Sequence, residues 1–107
     1  MAPDTRLTQT SRTALFNNYP NPFNPETWIP YQLVKDSDVA INIYDAAGHL
    51  VRHLELGFQT TGFYIGKSRA AYWDGRNDSG ERPASGVYFY QLKTSDLTAT
   101  RKMVIMK

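Results

Sequence analysis

Residues 70–92 read AAYWDGRNDSGERPASGVYFYQL and join two aromatic runs through a polar stretch punctuated by glycine. Tyr72 and Trp73 close the first run, Asp74-Gly75 and Ser79-Gly80 are turn dipeptides, and residues 87–92 are β-branched and aromatic side chains of high strand propensity. The stretch therefore reads as strand, long loop, strand. A tryptophan on one strand, faced by Tyr88 and Tyr90 from the next, is how a β-sandwich fills the space between its sheets, because each large ring buries roughly 150–250 Å². Trp73 is expected at the core.

Upstream of this stretch, residues 2–13 are polar and rich in threonine, with no helical stripe. Residues 1–14 are expected to form a linker or N-terminal arm, and residues 15–107 the folded domain. The polar start carries no export signal of its own, as expected of a piece of a larger protein. Next come Asn18-Tyr19-Pro20-Asn21-Pro22-Phe23-Asn24-Pro25, whose three prolines fix φ and remove three backbone donors. Neither a helix nor a central strand forms there. The segment is expected to run as a polyproline-like edge with Tyr19 and Phe23 anchoring it to the core.

Residues 27–33 alternate, with Ile29, Tyr31 and Leu33 on one side and Trp28, Pro30 and Gln32 on the other. This predicts one strand, held to an edge or a bulge by Pro30. Val39, Ile41 and Ile43 alternate in a second strand, and Asp45-Ala46-Ala47-Gly48 has the form of a hairpin connection back into a third strand over 50–56. Residues 57–67 are expected to be an irregular crossover, and residues 68–73 to enter the fourth strand. Residues 87–94 make the fifth. In the final strand, residues 98–107, Met103 and Ile105 share one face and Val104 and Met106 the other. Apolar residues on both faces imply that the strand is central in its sheet or that its second face awaits a partner. Counting the proline-rich edge, the chain is read as all-β, an antiparallel immunoglobulin-like sandwich of about seven strands.

Composition narrows function by exclusion. Aromatic content of 13% with 21% charged residues is that of one folded domain. The absence of cysteine excludes disulfides and thiolate metal sites. Twelve basic against ten acidic residues, spread along the chain, give little support to nucleic-acid binding. No apolar run reaches the ~18 residues of a membrane span. His49 and His53 stand four apart, which on a strand separates them by about 13 Å, so they read as solvent-facing residues. No nucleophile elbow, phosphate loop or cysteine nucleophile is present, and the chain is read as non-enzymatic, with no cofactor. Asp74, Asn77, Asp78 and Glu81 offer oxygen ligands around two glycine turns, a pattern open to Ca²⁺ or to closure by Asx-turn hydrogen bonds. The spacing is not that of an EF-hand, and Arg76 sits inside the loop.

The motif series Asn18-Tyr19-Pro20-Asn21-Pro22-Phe23-Asn24-Pro25, Ile29-Pro30-Tyr31, Ile43-Tyr44-Asp45, Gly48, Trp73-Asp74-Gly75, Ser85-Gly86-Val87-Tyr88-Phe89-Tyr90 and Lys102-Met103 resembles a known family. It looks like the type A C-terminal sorting domain of type IX secretion, which overlaps with the immunoglobulin-like domain of flagellar hook-capping proteins. The resemblance implies an address: a domain at the end of an exported protein, recognised by outer-membrane secretion machinery, removed by a sortase-like peptidase, and bound for the cell surface through the periplasm. Asn21, Pro22, Phe23, Asn24, Pro25, Trp73, Asp74, Gly75, Gly86, Tyr88 and Tyr90 then carry the structural motifs. The last strand, with Arg101, Lys102, Met103, Val104, Ile105, Met106 and Lys107, is the candidate for recognition, because an edge strand accepts a partner strand. A structural accessory domain or spacer attached to upstream domains of its parent is the alternative reading. A third is a carbohydrate-binding sandwich that uses exposed Trp28, Tyr64 and Tyr72.

Overall fold

The structure, a computed structural model, describes residues 12–107; the expected arm falls largely on residues 1–11, outside the described part. Among the described residues nine strands follow one another: β1 (Ala14–Leu15), β2 (Thr27–Ile29), β3 (Tyr31–Leu33), β4 (Ser37–Asp45), β5 (Leu50–Gln59), β6 (Gly62–Tyr64), β7 (Ala71–Trp73), β8 (Gly86–Lys93) and β9 (Thr98–Ile105). One layer is a four-stranded antiparallel sheet in the order β5-β4-β8-β9. The small sheets β1-β3-β6 and β2-β7 make up the rest.

The long strands follow the alternation in the sequence. Val39, Ile41 and Ile43 of β4, Tyr88, Tyr90 and Leu92 of β8, and Met103 and Ile105 of β9 are all buried, and they share one core with Trp73, Ile29, Tyr31 and Leu33. The hairpin from β4 to β5 turns on Asp45 and Gly48. Gly48 donates to the Asp45 carbonyl at 3.0 Å and takes a φ of +88°, a conformation glycine adopts without a Cβ penalty.

Four sequence expectations change. The strand over 27–33 is two strands, because Pro30 has no N–H to continue one ladder, and the halves pair with different partners: β2 with β7, β3 with β1 and β6. That division, together with β6 and with β1 ahead of a proline-rich segment that forms no strand of its own, brings the count among the described residues from about seven to nine. The third strand runs on to Gln59, because two bulges absorb extra residues, Val51 and Leu56, and turn both toward the core. The crossover contains a strand of its own, β6, and residues 66–70 form a turn closed by Arg69 and Ala70 donating to the Gly66 carbonyl, so the strand before the long loop is only Ala71–Trp73. The proline-rich segment is not a polyproline run. The peptide bonds before Pro20, Pro22 and Pro25 are cis, and its backbone pairs through two isolated bridges, Tyr19 with Trp28 and Phe23 with Ile105.

Candidate functional site: the last strand and the segments that close around it

β9 lies at an edge of the four-stranded sheet, paired on one side by β8. In an antiparallel ladder alternate residues turn their N–H and C=O away from the partner, and here these include Thr100, Lys102, Val104 and Met106. The proline-rich segment, residues 17–25, crosses the end of that edge as a strap. Phe23 donates its N–H to the Val104 carbonyl at 3.1 Å, Met106 donates to the Phe23 carbonyl at 3.0 Å, and the Asn21 Oδ1 accepts from the Val104 N–H at 3.0 Å. The outward groups of Val104 and the N–H of Met106 are thus paired within the chain.

The strap is held from beneath. Phe23 is buried, edge-on to Trp73 with ring centroids 5.5 Å apart. Asn18 is also buried: its N–H donates to the Tyr90 hydroxyl at 3.0 Å, and its Nδ2 donates to Thr27 Oγ1 at 3.0 Å and to the Pro20 carbonyl. Tyr90 in turn donates to the Phe16 carbonyl at 2.7 Å, so both the lone pair and the proton of this buried phenol are used. Gly75 passes directly under Pro25 with φ +82°; a Cβ there would overlap the Pro25 carbonyl oxygen. Asn-Pro-Phe-Asn-Pro and Trp-Asp-Gly, fifty residues apart in sequence, are therefore one packed unit beside the end of β9.

The loop after Trp73 is closed by its own side chains. Asp74 Oδ1 accepts from the Arg76 N–H and from Arg52 Nη1, each at 3.0 Å; Asn77 Oδ1 accepts from the N–H groups of Ser79 and Glu81. Asp78 Oδ1 accepts from the His53 N–H and lies 3.6 Å from Arg52 Nε, and Glu81 Oε1 accepts from Asn77 Nδ2 at 3.4 Å. Burial works against the Asp74 carboxylate, but the Arg76 N–H and the Arg52 guanidinium outweigh it and hold the carboxyl below its ordinary range. Among the described residues no three acidic or histidine side chains converge as a metal site would require. His49 pairs with Asp45, and His53 with Asn42 and Glu55.

The candidate recognition residues separate into two sets. Met103 and Ile105 belong to the core, Val104 is half-buried, and Arg101, Lys102, Met106 and Lys107 are exposed. Arg101 reaches across the sandwich edge, donating Nε to the Leu15 carbonyl at 2.8 Å and Nη1 to Asn17 Oδ1 at 2.9 Å. Lys107 donates its N–H to Ser85 Oγ. The sugar-stacking row of exposed Trp28, Tyr64 and Tyr72 does not form. Tyr64 is buried, stacked on Tyr31 at 4.8 Å, while Trp28 and Tyr72 pack on each other with their rings tilted by 51°. The sequence reading missed Arg52. The signal was present, since a charge in the same inward row as Leu54 needs a partner to be kept.

Residues 27–97 match the FlgD Ig-like domain family. No curated protein matches the chain in sequence. Solved structures share its fold, among them three at 22% identity each. FlgD from P. aeruginosa superposes with a TM-score of 0.60 over 92% of this chain and 70% of its own. PorZ, described as an essential bacterial surface component of the type-IX secretion system of Porphyromonas gingivalis, gives 0.58 over 88% of this chain and 12% of its own. Dimeric latent PorU from the same organism gives 0.61 over 98% and 10%. The chain thus spans about a tenth of the length of PorZ and of PorU. With two thirds of its residues matched, the chain belongs to the FlgD Ig-like domain family.

Proposed function

We propose that the chain is a non-catalytic sorting and secretion domain that takes a larger bacterial protein through the periplasm and across the outer membrane to the cell surface. Its partners on this reading are the outer-membrane secretion machinery, a sortase-like peptidase and the upstream domains of its own parent. The observation that carries the reading is the convergence of separate motifs on β9: the strap and the Trp-Asp-Gly turn both pack beside its end, and they leave Arg101 and Lys102 exposed along an edge. A fold shared with PorZ and PorU fits it. No helix among the described residues is long and apolar enough to cross a membrane.

The test is export of a periplasmically targeted reporter fused ahead of the full chain, in a host with type IX secretion. Truncation at Thr100 is a poor control, because it removes Met103 and Ile105 from the core and so unfolds what it is meant to probe. Lys102→Glu changes an exposed side chain and leaves the core alone. Surface delivery by the parent domain, reduced by Lys102→Glu in a folded protein, supports sorting. Retention of every fusion in the periplasm, with the domain folded, favours the second reading, an accessory or spacer domain. That reading draws on the FlgD Ig-like match and on the share of FlgD that the fold covers.

A further inference from the structure

The four-stranded sheet buries one face against the core, and on its other face the strand register sets the side chains in rows. Leu50, Tyr44, Phe89 and Lys102 stand side by side across all four strands, with Val87 and Val104 paired one row beyond. This end of the face is apolar but for one ammonium group on its four-carbon stem, and Leu50 and Val87 are 52% and 40% exposed. The next row is polar and bonds within itself: His53 Nδ1 lies 2.6 Å from Asn42 Oδ1, and Gln91 Nε2 donates to Thr100 Oγ1 at 3.3 Å. Glu55, Ala40, Lys93 and Thr98 make the third row. Apolar side chains on both faces of the last strand imply a central place in the sheet or a face that awaits a partner, and β9 lies at an edge.

Shape and charge along these rows select the occupant. Ala40 is the small residue of the third row, and at it lies a groove of about 390 Å³ lined by Asp38, Glu55 and Lys93 among others. Glu55 is bonded to His53, whereas the side chains of Asp38 and Lys93 have no hydrogen bond or ion pair among the described residues. A second copy fits this face when it is laid on by a two-fold axis parallel to the strands, which keeps the rows in step and reverses the strand order. Tyr44 then meets the Phe89 of the second copy, and Leu50 meets the stem of its Lys102. Lys93 comes over the Ala40 of the second copy and enters the groove beside Asp38, and the symmetry makes that contact twice. An axis across the strands instead sets the apolar row on Glu55 and Lys93.

We propose that the chain self-associates through this face as a reversible two-fold dimer, with Lys93 of each copy seated beside Asp38 of the other. Four strands about 4.8 Å apart, over the span from Asp38 to Tyr44, cover about 500 Å² per copy and about 1,000 Å² in all, the lower bound of a specific interface. The contact is therefore a weak one, filled by protein concentration. It goes beyond the sorting reading and does not depend on it, since no residue of the pairing is needed to cross a membrane and the face is present in either function.

The test is sedimentation of the full chain over a concentration series, joined to ¹⁵N amide shifts on the same samples. A dimer with a Kd on the order of 100 µM is expected, with no larger species, because a two-fold contact closes on itself. Amide shifts should move with concentration at Ala40, Tyr44 and Phe89 and stay fixed at Trp28 and Tyr72 in the other layer. Lys93→Glu sets two carboxylates together and Asp38→Lys two ammonium groups, so each variant alone should weaken the dimer about ten-fold. Both positions are exposed, so both variants keep the core. An equimolar mixture of the two should regain the parent's affinity, since the mixed pair has one contact of the parent kind and one with both signs exchanged. A parent that stays monomeric to about 1 mM overturns the proposal. So does a dimer that Lys93→Glu leaves unchanged, or a mixture no tighter than either variant. Shifts confined to Trp28 and Tyr72 overturn it in favour of a different surface.

Discussion

The two edges of the four-stranded sheet are closed in different ways, each with an arginine. At the β5 edge Arg52 is charge-matched, holding Asp74 at 3.0 Å and the Arg76 carbonyl at 2.9 Å with Asp78 nearby. At the β9 edge Arg101 meets only neutral oxygens, the Leu15 carbonyl and the Asn17 amide, and the strap supplies the remaining closure through backbone bonds at Val104 and Met106. Both arginines make charge-assisted bonds, but only at the β5 edge does the guanidinium meet a full opposite charge, so that edge alone is fastened by an ion pair. The difference is chemical: one edge is closed by an ion pair, the other by carbonyl and amide oxygens and by the backbone of the strap.

Trp73 tests the comparison most severely, because it joins the two sides: its ring packs against Phe23 of the strap, and its Nε1 donates to the Arg76 carbonyl that Arg52 also holds. Trp73→Ala is expected to cost about 3–5 kcal/mol in denaturant unfolding and to loosen both edges together. A loss below about 1 kcal/mol would mean that the core is organised around something else. Gly75→Ala follows, at about 2–3 kcal/mol, since the new methyl meets the Pro25 backbone at a positive φ. Its effect should fall on the strap, seen as faster amide exchange at Met106, and leave the exchange of β5 amides unchanged.

Arg52→Met should cost about 1–2 kcal/mol and make stability less dependent on salt and acid, whereas Arg101→Met should cost about 0.5 kcal/mol with no change in salt dependence. The acid limb has a definite sign. Asp74 is held below its ordinary value of 3.8, so its contribution is complete above that pH and is lost as the pH falls through the lower folded value. Urea midpoints for the parent and Arg52→Met should therefore converge toward the acid end. Parallel curves would show that the β5 edge is not fastened by charge. Asn21→Ala is the mildest change, about 0.5–1 kcal/mol for one lost bond to the Val104 N–H. It should free the Val104 N–H, raising amide exchange there first.

Much of the fold can be read from residue order. Val39, Ile41 and Ile43 announce β4, Tyr88, Tyr90 and Leu92 announce β8, and Asp45 with Gly48 announces the hairpin, because period-two alternation and turn chemistry are local properties of the chain. Trp73 at the core follows equally from the size of its ring among strand formers. The division at Pro30 was visible only as a warning. That a proline cannot donate is local, but that Ile29 and Tyr31 then join different sheets depends on where β7 and β6 lie.

The candidate site was legible in its parts but not in its assembly. The proline-rich run, the Trp-Asp-Gly turn and the final strand each stand out in the sequence, which identifies them as special and gives their intrinsic conformational limits. Only the tertiary structure brings Pro25 over Gly75, seats Phe23 on Val104 and Met106, and carries Arg52 to Asp74. These contacts join residues tens of positions apart, and periodicity reports which face of a strand is apolar without saying which segment lies along its edge. The sequence by itself determined an all-β chain with a tryptophan core and a basic last strand. Packing decided how much of that strand is left bare, because edge closure is settled by which distant backbone groups come within hydrogen-bond reach.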